Sequence, residues 1–352
     1  MKRLYADIHL KRGDFALDIL IESGAERIGI LGSSGSGKSM TLRSIAGIEE
    51  IASGSVVING KTLFDSSKRI NLPPQKRNTG YMFQNYALFP TMSVIRNVMA
   101  GLKGGKAEKI DKASDMLTRL DIYDLRDRLP GELSGGQQQR AALARILVTE
   151  PELILLDEPF SALDGYLRDR LQMEMMEILE DYKGQLIMVS HSRDELYRFS
   201  DELFVIRDGR VLRSGETRSV FRDPGSVDAA RLTGCKNFSE VQVEDRHTMR
   251  ALDWGIDLKL EREIPEGTRF IGYRAHYFEP VWGMRKQNCI PLDLIRIDEL
   301  PFEKYYYLRP AGKSSRDDVI CWFVQEDQQN KIEERGLPDY LRLKEDNILM
   351  LK

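Results

Sequence analysis

Cysteine is scarce in this chain of 352 residues: there are three, Cys235, Cys289 and Cys321, odd in number and far apart. No C-x-x-C pair exists, so zinc-type ligand spacing and a disulfide framework are both disfavoured, and free buried thiols are the expectation. Long apolar runs are missing too. Nothing approaches the roughly 18–20 consecutive apolar residues of a spanning helix, so any membrane role has to come through a partner. The stretch Met1-Lys-Arg-Leu-Tyr-Ala-Asp7 lacks the apolar core of a secretory signal. Basic excess is absent as well. Net charge is −3, which argues against a nucleic-acid-binding surface or attraction to an anionic membrane. What remains, 41% apolar and 30% charged residues, suits a soluble globular protein, and the length suits two domains.

The most informative segment present is Gly32-Ser-Ser-Gly-Ser-Gly-Lys-Ser39. It has the P-loop form G-x-x-x-x-G-K-[ST]. Arg27-Ile-Gly-Ile-Leu31 before it reads as a strand, and Met40-Thr-Leu-Arg-Ser-Ile-Ala46 after it reads as a helix. In that context Gly32, Ser33, Ser34, Gly35, Ser36 and Gly37 form a turn whose amides face one anion, next to the positive end of a helix. Lys38 would reach the β- and γ-phosphates of a nucleotide, and Ser39 would place its hydroxyl on Mg²⁺.

Elsewhere the pattern alternates. Ala6–Leu10 and Phe15–Ile21 flank Arg12-Gly-Asp14 as a hairpin, and Ser55–Ile58 reads as a short strand between turns. Residues 92–130 carry apolar positions at helical spacing, such as Ala113, Met116, Leu117 and Leu120. Leu153–Leu156 and Gln185–Ser190 are continuous apolar runs expected to be strands buried on both faces. Between them Leu167, Leu171, Met175, Ile178, Leu179 and Tyr182 mark an amphipathic helix. Strands alternating with helices imply an α/β fold with a mostly parallel sheet. Composition shifts near Phe221–Ser226, and aromatic strand-like runs follow: Phe270–Tyr273, Tyr305–Leu308 and Ile320–Val324. We expect a first domain over residues 1–230, with a helical subdomain at about 86–150, and a β-rich second domain over 231–352.

Two acids, Asp157 and Glu158, close the run Leu153–Leu156. At the carboxyl edge of such a sheet, beside a P-loop, Asp157 suits a Mg²⁺ ligand and Glu158 a base for an attacking water.

With these residues in place, Leu133-Ser-Gly-Gly-Gln137 resembles the signature motif of ATP-binding cassette (ABC) ATPases. Gln84, in Tyr81-Met-Phe-Gln-Asn-Tyr-Ala-Leu-Phe-Pro90, resembles the Q-loop. Ser161-Ala-Leu-Asp164 resembles the D-loop, and His191 resembles the switch histidine. The motifs occur in the family's order over roughly residues 1–230. The resemblance implies a P-loop cassette with an antiparallel β subdomain and a helical subdomain, binding ATP and Mg²⁺. It implies a head-to-tail homodimer in which Ser134, Gly135, Gly136 and Gln137 of one chain meet the γ-phosphate held by the other. Lys38, Glu158 and His191 would be catalytic, while Ser39, Gln84 and Asp157 would manage Mg²⁺. Met40 stands where the family commonly has Thr or Ser, so its contact to the α-phosphate would be through the backbone. Phe15 is either an adenine-stacking ring or a core residue.

The segments Phe83–Pro90 and Asp157–Asp164, together with the C-terminal extension, resemble bacterial importer cassettes. This implies separate transmembrane permease subunits, an indirect link to a substrate-binding protein, and a place on the cytoplasmic face of the membrane. Leu232–Asn237 and Phe270–His276 resemble molybdate-importer ATPases, in which the extension is related to small oxyanion-binding folds; the resemblance implies a regulatory, oligobinding-like domain over 231–352. Arg274 and His276 are either oxyanion contacts or surface residues, and the surface reading is favoured. Importers of sulfate, ferric iron, polyamine or sugar are alternatives, as is a soluble ABC ATPase acting on nucleic acid or ribosomes.

Overall fold

The computed structural model describes residues 4–161, 165–300, 303–312 and 319–352. It divides the chain into two compact units, Met1–Thr217 and Arg218–Lys352.

In the first unit β1 (Leu4–Arg12) and β2 (Phe15–Ser23) form the antiparallel hairpin, and β3 (Arg27–Leu31) runs into α1 (Lys38–Ala46). Three short strands follow, β4 (Ser53–Ile58), β5 (Lys61–Asp65) and β6 (Ile70–Asn71), and then β7 (Thr79–Met82). Helices α2 (Val94–Met99), α3 (Lys106–Arg119) and α4 (Gly135–Leu147) come next. The chain returns through β8 (Leu153–Asp157), α5 (Gly165–Glu180), β9 (Gln185–Ser190), α6 (Arg193–Phe199), β10 (Glu202–Arg207) and β11 (Arg210–Glu216). These strands make one sheet in the order β6-β5-β4-β1-β2-β11-β10-β3-β9-β8-β7. Its half from β10 to β7 is parallel, and the half from β6 to β2 is antiparallel. The expected α/β cassette architecture is thus observed, as a mixed sheet.

Burial explains the sequence pattern. Every residue of β8 and β9 is buried, because each has a parallel neighbour on both edges and is covered on both faces. Leu153, Leu155, Ile187, Val189, Ile28 and Ile30 pack with Leu42, Ile45 and Ala46 of α1 in one core. A separate apolar cluster joins the three middle helices: Val94 and Val98 of α2, Ala113 and Leu117 of α3, Ala141 and Ala144 of α4, with Leu133.

The second unit begins with the last five residues of α7 (Thr217–Arg222) and continues with α8 (Val227–Leu232). Strands β12 (Asn237–Val243), β13 (Thr248–Ala251), β14 (Ile256–Lys259) and β15 (Phe270–Tyr273) follow, then β16 (Glu279–Val281), β17 (Cys289–Leu300), β18 (Glu303–Pro310) and β19 (Ile320–Val324). After α9 (Glu326–Arg335), β20 (Tyr340–Arg342) and β21 (Leu349–Leu351) complete it. The strands form two five-stranded sheets, β14-β13-β12-β15-β21 and β16-β20-β17-β18-β19, around Trp254, Ile271, Tyr273, Trp322 and Leu341. Asn237 is buried between them; its carboxamide donates to the carbonyls of Tyr273 and Cys321 and accepts from the Cys321 amide. All three cysteines are free and buried. Among the described residues no helix is long and apolar enough to cross a membrane.

Helix α1 is held at its far end by a buried cation. Arg77, 3% exposed, donates from Nη1 to the carbonyls of Ser44 (3.0 Å) and Ile45 (2.8 Å), from Nε to Leu72 O (2.8 Å) and from Nη2 to Asn71 Oδ1 (3.0 Å). A positive group at the C-terminus of a helix meets the negative end of its dipole and satisfies carbonyls that lack an intrahelical donor. Gly47 makes room: its φ is +77°, and a Cβ there would lie 2.4 Å from Arg77 Nε. Arg77→Leu should therefore destabilise the first unit by about 2–4 kcal/mol, because four acceptors, two of them in buried bonds at the end of α1, lose the guanidinium together. A urea melt followed by tryptophan-independent far-UV dichroism checks this; an unchanged first transition would mean that the guanidinium bonds contribute nothing net.

Candidate nucleotide-binding site

The site is assembled at the carboxyl ends of three adjacent parallel strands. β3 delivers the Gly32–Ser39 turn, β8 delivers Asp157 and Glu158, and β9 delivers His191. The turn enters α1 through Gly37, which holds φ +101° as the residue preceding the helix. A Cβ on Gly37 would lie 2.6 Å from Leu17 Cδ1 and 3.1 Å from Phe15 Cζ, so conformation and space both require glycine there. The same contact places the Phe15 ring against the turn while it packs on the main core. Met40 is half-buried on that core too.

Lys38 is 4% exposed and folds back onto the turn. Its Nζ donates to the carbonyls of Gly32 (2.8 Å) and Ser33 (2.9 Å) and lies 3.7 Å from Glu158 Oε1. Burial lowers its pKa, and the charges of Glu158 and Asp157 work in the opposite direction. The Ser36 hydroxyl is buried and has no hydrogen-bond partner. The first amides of α1 have no intrahelical acceptor either. A polar cradle with an orphaned hydroxyl, a helix N-terminus and a buried ammonium fits a multiply charged anion.

Asp157 is 3% exposed and fully engaged. Ser39 Oγ donates to its Oδ1 at 2.6 Å, and the Tyr81 hydroxyl donates to its Oδ2 at 2.7 Å. Arg43 Nη2 lies 3.9 Å from the same Oδ2. Burial, and then the Asp157 charge, push the Tyr81 phenol far above its ordinary pKa, so it remains a donor at any working pH. The Ser39 hydroxyl and Asp157 carboxylate together are hard oxygen ligands of the kind Mg²⁺ takes alongside phosphate oxygens and water. Among the described residues no cluster of three or more His, Cys, Asp or Glu forms a self-sufficient metal cage.

Glu158 has left-handed backbone, φ +46°, and its amide donates to Val189 O at 3.1 Å, which pins the turn to β9. Its Oε2 lies 3.3 Å from His191 Nδ1. His191 sits in the turn between β9 and α6. Ser190 Oγ donates to Glu195 Oε2 (2.6 Å) and accepts from the Ser192 amide (2.9 Å), and Ser192 caps α6. Carboxylate, imidazole and ammonium thus surround one point above the helix N-terminus. That arrangement can stabilise negative charge and accept a proton from water.

The structure brings together Lys38, Ser39, Asp157, Glu158 and His191 from the sequence-based set. It leaves two others apart. Gln84 is exposed in the loop that leaves β7. Ser134, Gly135, Gly136 and Gln137 open α4, where Ser134 Oγ accepts from the Gln137 amide (3.4 Å) and Gln137 Oε1 accepts from the Ser134 amide (2.9 Å). No hydrogen bond or ion pair among the described residues links this segment to Gly32–Ser39. Ser161 Oγ donates to Glu158 O at 2.9 Å; Ala162, Leu163 and Asp164 lie outside the described residues. Tyr81 and Arg43 were not anticipated. No local pattern marks Tyr81, because its partner is 76 residues away and is met only through the β7–β8 register.

A family model described as ABC transporter matches residues 18–161. The chain is 39% identical over 233 residues to a ferric iron (Fe³⁺ ions) import ATP-binding protein of Haemophilus influenzae, covering 65% of each. It is 40% identical over 260 residues to a molybdate/tungstate import ATP-binding protein of Thermococcus kodakarensis, covering 73% of this chain and 75% of that protein. It is 38% identical over 236 residues to a spermidine/putrescine import ATP-binding protein of Haemophilus influenzae, covering 66% and 61%. The chain thus spans slightly under two thirds of the ferric iron and polyamine relatives. Among solved structures, cbiO1 of Clostridium perfringens, part of an ABC transporter complex, aligns with TM-score 0.55 at 28% identity over 65% of this chain and 93% of that one. A dimeric ATP-binding cassette in a post-hydrolysis state with ADP and Pi aligns with TM-score 0.50 at 26% identity, over 61% and 98%.

Asp157 bonds to both hydroxyls, so the two should be energetically coupled. Tyr81→Phe and Ser39→Ala are each expected to cost about 1–2 kcal/mol, and the double variant to depart from their sum by at least about 0.5 kcal/mol. Strict additivity in a denaturation cycle would show that the shared carboxylate does not join them.

Proposed function

The chain belongs to the ABC transporter family of ATP-binding proteins, and on that premise we propose that it hydrolyses ATP to drive solute import. The observation that carries this reading is the convergence of Lys38, Ser39, Asp157, Glu158 and His191 at one helix N-terminus. In the proposed reaction the turn amides and Lys38 bind the β- and γ-phosphates. Lys38 leaves the Gly32 and Ser33 carbonyls to do so, exchanging neutral acceptors for charged ones. Ser39 and Asp157 would hold Mg²⁺, with Gln84 joining them; bound there, the ion would neutralise phosphate charge. A water oxygen attacks the γ-phosphorus, its proton passes to the Glu158 carboxylate, and the bond to the β-phosphate oxygen breaks to leave ADP and phosphate. His191 orients Glu158 and the water from the β9 side. Most of the acceleration comes from positioning and fixed charge.

The candidate second anion site, at Ser134–Gln137, has no hydrogen bond or ion pair to Gly32–Ser39 among the described residues. We assign it to the γ-phosphate of a second copy, in a head-to-tail pair. The pair would work with separate membrane permeases at the cytoplasmic face, fed by a substrate-binding protein. For the solute we favour molybdate or a related oxyanion. The match to the molybdate/tungstate relative runs over 260 residues against 233 for the ferric iron relative, and so takes in more of this chain. Ferric iron and polyamine remain the alternatives, since relatives named for them are of comparable identity. Arg274 is not a free oxyanion contact. Its Nη1 donates to Thr233 O and its Nη2 to Phe221 O, both at 2.6 Å, which makes it a clip inside the second unit.

Glu158→Gln should bind Mg-ATP and form a stable pair on gel filtration, with turnover reduced roughly a hundred- to ten-thousandfold. Near-normal turnover would remove Glu158 as the base. Lys38→Ala should weaken ATP binding at least about tenfold. For the solute, cells lacking this chain should lose uptake of labelled molybdate; intact molybdate uptake with ferric iron or polyamine uptake lost would reassign it.

A further inference from the structure

Two polar side chains of α4, buried Gln139 and half-buried Arg145, hold backbone in two other parts of the site. Gln139 is 3% exposed, and its Nε2 donates to Pro159 O at 3.1 Å. Pro159 directly follows Glu158. The Tyr86 hydroxyl, itself buried, approaches the same carbonyl at 3.5 Å. Arg145 donates from Nη1 to Ala87 O (2.7 Å) and from Nη2 to Tyr86 O (2.9 Å), just beyond Gln84.

The segments held this way are strained. Tyr86 has φ +60°, Ala87 φ +45° and Glu158 φ +46°. Non-glycine residues keep such angles only where surrounding bonds over-determine them. The Gln84 loop is fixed from a second side too. Asn97 of α2, fully buried, accepts from the Phe89 amide (2.7 Å) and donates to the carbonyls of Phe89 (3.1 Å) and Met92 (2.9 Å). One helix therefore connects three places: the Ser134 anion site at its start, the turn that carries Glu158, and the loop that carries Gln84.

We propose that Gln139 is a positioning residue, through which a phosphate engaged at the start of α4 sets the place of the Glu158 carboxylate in the same chain, with Arg145 doing the same for the Gln84 loop. The inference rests on the reading that Ser134 meets a second copy's nucleotide. A helix moves as a rigid body, so a shift at its N-terminus reaches Gln139 and Arg145 undiminished. The Pro159 carbonyl follows Gln139, and Glu158 turns with it. Each chain's base would then be correctly placed only when that chain also grips its neighbour's ATP, and hydrolysis at the two sites becomes cooperative.

The test is steady-state ATPase of the full chain, in parallel for the parent, Gln139→Met, Arg145→Lys and Ser134→Ala. Gln139→Met keeps length and burial but removes the donor. It is expected to lower kcat about tenfold, the worth of one hydrogen bond. The ATP KM should stay unchanged, and the Hill coefficient should fall from about 2 toward 1. Arg145→Lys, which keeps the charge and one donor, should give a smaller change of the same kind. It serves as the reading if Gln139→Met does not fold. A folded Gln139→Met with parental kcat and Hill coefficient overturns this inference alone, as does a fall in melting temperature with both kinetic values unchanged. A parent with no cooperativity, together with a Ser134→Ala variant of full activity, overturns the paired-chain reading and this inference with it.

Discussion

An α-helix begins with amides that have no acceptor of their own, and in α1 those amides stand beside the fully buried strands β8 and β9. The turn before them is open on one side, with Ser33, Ser34 and Gly35 exposed, so an arriving anion can meet that polarity. Here the N-terminal end is left as a cradle, with the Ser36 hydroxyl unpartnered and Lys38 turned back on its own turn. The C-terminal end is closed permanently by Arg77. That asymmetry makes α1 a fixed dipole with one open pole. Each acidic or cationic group of the site is arranged around the open pole, and the placement of the strands serves to bring them there.

Asp157 illustrates how the surroundings determine what a carboxylate can do. Its two oxygens are spoken for by Ser39 and Tyr81, and its position in β8 is locked between β7 and β9. Glu158, one residue later, has left the strand with a left-handed turn and reaches Lys38 and His191 instead. Two adjacent acids of nearly identical chemistry thus receive different environments. One is rigid and hydrogen-bonded, suited to holding a cation beside the Ser39 hydroxyl. The other is partly exposed at a turn, suited to meeting water. The division of labour follows from a single backbone kink between them.

Much of this was readable from residue order because the relevant signals are local. The Gly32–Ser39 turn, the acids ending an apolar run and the capping pattern at Ser134–Gln137 each occupy a few consecutive residues; continuous apolar runs marked β8 and β9, and helical spacing marked α5. The parts that escaped are long-range. Tyr81 faces Asp157 only because β7 pairs with β8. Arg77 acts on a helix some thirty residues earlier in the chain, and Gln139 and Arg145 look like ordinary polar positions on a helix. The antiparallel half was expected as a hairpin and a β subdomain, but the order of its short strands escaped, because composition does not encode which edge each one joins. Arg274 stands in the same class, since a cation on a strand reads as exposed until the carbonyls of Phe221 and Thr233 are brought to it.

Strain offers the last link between architecture and turnover. Left-handed φ at Tyr86, Ala87 and Glu158 costs free energy, on the order of 1–3 kcal/mol at each position. Nothing in their local sequence requires it, as none is glycine. The cost is offset by surrounding bonds, among them those of Gln139 to Pro159 O and of Arg145 to Tyr86 O and Ala87 O, from α4, the element that also presents Ser134. A catalytic arrangement whose geometry is borrowed from a helix can be disarmed by moving that helix, without unfolding the core that carries Lys38 and Asp157. The fold separates the two accordingly. The elements on either side of the P-loop, β3 and α1, share one apolar core with β8 and β9, while α4 packs with α2 and α3 in another. On the proposed reading, binding chemistry sits on the rigid part, and the position of Glu158, the proposed base, is left to a helix belonging to the other core.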